Sequence, residues 1–106
     1  MTTTRSTDVP VRGPGDPAVL LRTLIGQALR RLRLRQGRTL REVADAAQVS
    51  MPYLSEIERG RKEASSEVLA AICRALGVRL SDLLEHVRDD LLALEPEERA
   101  ADGVFL

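Results

Sequence analysis

Aromatic side chains are almost missing from this sequence: one tyrosine, Tyr53, one phenylalanine, Phe105, and no tryptophan. The apolar material is Leu, Ala, Val and Ile, which suits helices packed through aliphatic side chains. There is one cysteine, Cys73. An intramolecular disulfide and a thiol metal pair are thereby excluded, and a reducing cytoplasm is the matching compartment. No run of about 18 apolar residues is available to span a membrane. The first residues, MTTTRSTDVPVRGPGDP, lack the apolar stretch of a signal peptide. The segment GPGDP is too short for a phosphate loop and has no Lys-Ser/Thr behind it. His86 is the single histidine and falls in an acidic helical stretch, and the serines have no base nearby in sequence. No catalytic constellation, metal, cofactor or small-molecule ligand is therefore expected.

What is present is 106 residues, enough for one domain with a core just large enough to stand alone. The formal net charge is zero, but the charges are unevenly placed. Residues 1–41 hold nine arginines and two aspartates, a net of +7, whereas residues 82–102 hold eight acids and two arginines, a net of −6. Such asymmetry fits one end facing a polyanion. Two solvated faces that partly neutralise each other would show the same pattern.

Residues 1–17, rich in Thr, Pro, Gly and Asp, read as a disordered arm. From Ala18 the pattern is helical, with Leu21, Ile25, Ala28, Leu29 and Leu32 on one stripe until Gly37 ends it. Thr39 and Glu42 form a capping box for a second helix that buries Leu40, Val43, Ala44 and Ala47 and stops near Gln48. Ser50 caps a third helix that runs to Arg59 and stops at Gly60. Ser65 or Ser66 opens a fourth, carrying Val68, Leu69, Ile72, Cys73 and Leu76, and Ser81 is expected to cap a fifth that reaches Leu94. Pro96 closes it, and residues 95–106 read as a flexible acidic tail. The predicted fold is all-α: a compact five-helix bundle spanning residues 18–94.

The second and third helices are joined by about three residues, the spacing of a helix-turn-helix. At about 100° per residue the third helix turns Leu54 and Ile57 inward, flanked by Met51, Tyr53 and Glu58, and turns Pro52, Ser55, Glu56 and Arg59 outward. A short helix that shows its N-terminal half beside basic residues is suited to a DNA major groove.

The stretch LREVADAAQVSMPYLSEIERG resembles the helix-turn-helix of Cro/C1-type (XRE-type) transcriptional regulators. Ala44, Val49, Leu54, Ile57 and the ending SEIERGR carry the resemblance. IGQALRRLRLRQGRTLREVA resembles the first helix of that family, and SSEVLAAICRALGVRLSDLL its fourth and fifth, so about residues 24–84 are covered. RLRQGRTLREVADAAQVS, YLSEIERGRKE and SSEVLAAIC are similar to the actinobacterial Clp gene regulators. The resemblance implies a lambda-repressor-like bundle and the activation of genes for a cytoplasmic ATP-dependent protease. Two residues depart from the family pattern: Gln48 stands where the turn usually has Gly, and Ala64 where Pro often precedes the fourth helix. If Gln48 is left-handed, it costs about 1 kcal/mol relative to Gly.

Candidate DNA contacts follow from the outward face and the charges. Ser50 is a cap and a phosphate donor. Met51 and Pro52 offer only apolar contact, as to a thymine methyl, and Glu56 can accept from cytosine N4. Tyr53 and Ser55 complete the row on the helix. Arg59, Arg61 and Lys62 flank its end, and Arg38 and Arg41 bracket the start of the second helix, Arg41 being the stronger phosphate candidate. The family resemblance implies a salt bridge from Arg33 to Glu58 that fixes the pitch of the recognition helix. Leu84, Val87, Leu91 and Leu94 continue at a 3-4-3 spacing, a short seam for a homodimer, although the same stripe would also serve to cover the first helix. The expected protein is a homodimer on a palindromic operator in double-stranded DNA, in the cytoplasm on the nucleoid. As an activator it would need a surface for RNA polymerase, for which the acidic end of the fifth helix is a candidate. The rival reading is a protein-interaction adaptor that kept the fold and lost DNA binding; Met51, Pro52 and Glu56 favour it, and the ring of arginines opposes it.

Overall fold

The computed structural model describes residues 16–95. The expected disordered arm, apart from its last two residues, and the acidic tail beyond Glu95 lie outside the described residues. Among the described residues there are five helices: α1 (Pro17–Arg35), α2 (Leu40–Ala47), α3 (Met51–Glu58), α4 (Ser66–Leu76) and α5 (Leu80–Leu94). Among the described residues there is no strand, and no helix is long and apolar enough to cross a membrane.

Local chemistry sets each boundary. Asp16 accepts the Ala18 N–H at 2.7 Å and opens α1 with Pro17 in its first turn. Gly37, at φ +67°, lets the chain leave α1. Thr39 and Glu42 close a reciprocal capping box at 2.9 and 3.0 Å. Ser50 and Ser65 accept the N–H groups of Tyr53 and Val68 at the heads of α3 and α4. The expected Ser81 cap is not used. Gly77 ends α4 in the left-handed region and Arg79 is already extended, so α5 begins at Leu80. Asp82 then accepts the Arg79 backbone N–H at 2.9 Å, and Ser81 becomes the second residue of the helix.

α1 lies along α5 and crosses α3, α2 packs between α3 and α4, and α4 closes against α5. Leu29, Leu54, Ile57, Ile72 and Leu83 fill the centre, each no more than 1% exposed. A fully buried side chain of this kind stabilises by about 1.5–3 kcal/mol; with Val43 of α2, 1% exposed, a handful of aliphatics from all five helices suffices without aromatics. The stripe on α1 enters the core through Leu20 and Leu24 rather than Leu21, which is 46% exposed.

The proposed α5 seam is divided by the fold. Val87 is 4% exposed and Leu91 packs against the core, so both serve the single chain. Val87, expected in the dimer seam, thus packs inside the single chain. The core extends past Leu84 because α1 is long enough to need cover along α5, and Arg31 joins Asp90 there at 2.8 Å. Leu84 and Leu94 remain 51% and 59% exposed, and Leu92, outside that stripe, 50%.

Candidate nucleic-acid interface

Gln48 carries the tight turn between α2 and α3. It sits at φ 61°, ψ 41°, left-handed, and the N–H of Val49 then returns to the Ala44 carbonyl at 3.0 Å. Ala44, 1% exposed, has no room for a larger side chain between the two helices. Leu54 and Ile57 anchor α3 from below, which leaves Ser50, Met51, Pro52 and Arg59 exposed and Ser55 and Glu56 partly so. The narrow buried face of an eight-residue helix thus forces most of its outer side toward solvent.

A charge pair fixes the far end of α3. Arg33 Nε and Nη2 donate to the two carboxylate oxygens of Glu58, both at 2.9 Å, while Nη1 donates to the Arg38 carbonyl at 3.0 Å. The side chains are only 11% and 6% exposed. The hydrogen bonds to Glu58 hold the Arg33 guanidinium above its ordinary pKa against the opposing effect of burial. Bidentate geometry sets angle as well as distance, so the pair orients α3 against α1.

The cations divide by what they touch. Arg41 lies exposed in the first turn of α2, a helix whose leading N–H groups have no carbonyl partner within it. Arg61 and Lys62 are exposed in the loop after α3. Arg59 is exposed and stands 3.8 Å from Glu56, a loose contact that a phosphate could displace. Arg38 is engaged within the fold. Its guanidinium donates to the Gln36 side chain and to the Ala75 carbonyl in the last turn of α4, where orphan carbonyls and the helix dipole attract a cation. Tyr53 is also held locally, half-buried against the core with its hydroxyl donating to the Glu63 carbonyl at 3.3 Å. Ser50 accepts a backbone N–H at 3.1 Å and retains its own hydroxyl hydrogen for a phosphate oxygen.

Among the described residues no group of His, Cys, Asp and Glu could hold a metal. Cys73 is 2% exposed, and burial, with a smaller contribution from Asp82, raises its thiol pKa. Sequence reasoning passed over Gly26, which sits where α1 crosses the last turn of α3 and leaves no space for a side chain. A glycine inside the helical stripe of α1 was the available signal.

Residues 29–83 match the helix-turn-helix family model. The chain is 63% identical over 83 residues to the transcriptional regulator ClgR of Mycobacterium tuberculosis, covering 78% of this chain and 74% of that protein. The crystal structure of the clp gene regulator ClgR from Corynebacterium glutamicum superposes with a TM-score of 0.67 at 52% identity, covering 71% of this chain and 96% of that one. The restriction-modification controller protein C.Esp1396I, solved as a tetramer with its natural 35 base-pair operator, shares the fold, with a TM-score of 0.65 at 24% identity over 68% of this chain and 95% of that one. The chain belongs to the Cro/C1-type helix-turn-helix family and, within it, to the ClgR-like DNA-binding transcriptional regulators, and it is not an enzyme.

Proposed function

We propose that this regulator binds a palindromic operator as a homodimer in the cytoplasm and activates genes of a Clp protease system. The observation that supports this reading best is α3 itself: an exposed N-terminal half, braced at its far end by the buried Arg33–Glu58 pair and flanked by Arg41, Arg59, Arg61 and Lys62. Those four cations supply phosphate contacts, and Met51, Pro52, Ser55 and Glu56 face the bases. With so few hydrogen-bonding side chains in that row, selectivity rests on a few base contacts together with DNA shape. The likeness to a clp gene regulator supports the choice of target genes.

Dimerisation uses the outer leucines of α5, Leu84, Leu92 and Leu94, which the single chain leaves uncovered. Two recognition helices then meet half-sites about 34 Å apart. The exposed acids Glu85 and Asp89 on α5 suit a contact with RNA polymerase.

The experiment is a salt-series binding assay on genomic fragments with wild type and Arg59→Ala. A few fragments should be selected, binding should fall with salt, and Arg59→Ala should weaken it. Equal binding to every fragment even at low salt would sink this reading in favour of an adaptor docking a protein on Met51 and Pro52.

A further inference from the structure

We infer that Gly26 is a positioning residue for sequence-selective DNA binding: its missing side chain lets α1 seat the last turn of α3 and so sets the pitch of the recognition helix. A Cβ at Gly26 would lie 2.3 Å from the Ile57 carbonyl oxygen, 2.6 Å from the Glu58 carbonyl oxygen and 2.9 Å from the Glu58 carbonyl carbon. All three are backbone atoms, so no side-chain rotation relieves the contact. Ordinary contact starts at 3.4 Å, and α1 and α3 would have to separate by about 1 Å.

The crossing is tight from both sides. A Cβ on Gly60, which has φ +75°, would lie 2.9 Å from the Thr23 Cα. Leu54 and Ile57, at 0% and 1% exposed, keep α3 from rolling in its seat, and Glu58 is tied to Arg33. A push at Gly26 is therefore passed to α3 as a body. Met51 stands about 10 Å along the helix axis from Glu58, so the displacement reaches the base-facing end. Base contacts need side chains held to within about 0.5 Å, while long Arg and Lys side chains follow a phosphate through such a shift. Mid-helix glycine costs about 1 kcal/mol relative to alanine, so helix propensity alone would favour the substitution. The close crossing is the reason it does not.

This inference rests on the DNA-binding reading, and its test separates the two. Full-length wild type, Gly26→Ala and a core control, Ile72→Ala, are titrated with a selected fragment and a scrambled duplex at a temperature where circular dichroism shows each fully folded. Backbone amide spectra of Met51 and of Tyr53 to Ser55 are recorded without DNA. Gly26→Ala should lose at least about tenfold in preference for the selected fragment, the value of one good base contact. Binding to the scrambled duplex should stay within about twofold, because phosphate contacts carry it. The α3 amides should move in Gly26→Ala and stay in place in Ile72→Ala. Should Gly26→Ala fail to fold, Gly60→Ala presses on the same crossing and should give a smaller loss of the same kind. A wild-type preference ratio in the folded variant, or α3 amides that move no more than in the control, would overturn the inference. A wild type that prefers no fragment overturns selective binding instead, and the amide displacement still decides whether Gly26 sets α3.

Discussion

Removing the Glu58 carboxylate tests how the recognition helix is held. In Glu58→Ala the guanidinium of Arg33, 11% exposed, keeps its charge and loses two hydrogen bonds of 2.9 Å. One bond, to the Arg38 carbonyl, remains. Breaking a buried pair in this way costs about 3–5 kcal/mol, against under about 1 kcal/mol for an exposed pair. For a domain whose total stability is on the order of 5–10 kcal/mol, that is a large share. Urea unfolding followed by circular dichroism should show the midpoint falling sharply with little change in slope. The double variant Arg33→Met/Glu58→Leu should recover much of the loss, because no buried charge is left unpaired. The pH dependence has a definite sign. Arg33 is a cation whose folded pKa is raised, so its stabilisation is complete below the unfolded value and is lost only as pH rises through the folded one. Both lie beyond the alkaline limit of ordinary buffers, so the Arg33 contribution should be flat between about pH 6 and pH 10. A cost for Glu58→Ala below about 1 kcal/mol would refute the argument that burial makes this pair hold α3.

Four further outcomes follow from named contacts. Gln48→Gly should gain about 0.5–1 kcal/mol in urea unfolding, since relief of left-handed strain of about 1–2 kcal/mol exceeds the extra freedom of the unfolded glycine; a loss would show that the Gln48 side chain is needed. Arg41→Ala should lower the slope of log affinity against log salt by about one, whereas Arg38→Ala should leave that slope unchanged and reduce thermal stability instead. Cys73 should resist maleimide in the folded protein, and because its folded thiol pKa is raised, stability should fall as pH climbs above about 8.5, a limb that Cys73→Ala should lack. Leu92→Glu should give a folded monomer in sedimentation experiments, and an unchanged mass would remove α5 as the dimer surface.

The helices were legible because their boundaries depend on neighbours in sequence. Thr39 with Glu42, Ser50, and the glycines at 37, 60 and 77 act within about one turn, and pattern reading reaches that far. The candidate site was legible where it is also local: the outward side of α3 follows from Leu54 and Ile57 facing in. What could not be read depends on the third dimension. The engagement of Arg38 with the end of α4 joins residues 37 positions apart, and only the fold brings them together. Gly26 looks like a flaw in α1 until the carbonyls of α3 are placed against it.

The α5 stripe shows the limit most clearly. Apolar periodicity reports that a face needs cover, and it carries no information on whether the cover is the same chain or a second one. Here the answer divides along the helix. α1, at 19 residues, is about 28 Å long and reaches far enough to bury Val87 and shelter Leu91. It leaves Leu84 and Leu94 of the same stripe, with Leu92 beside it, facing out. A homodimer built on this α5 must therefore meet along the outer leucines, with Val87 held in the core of each protomer. Substitution at Val87 should accordingly unfold the chain before it changes the association constant, whereas Leu84→Glu should dissociate the dimer while the melting temperature of the monomer holds. The reverse order would mean that α5 leaves α1 when two chains associate.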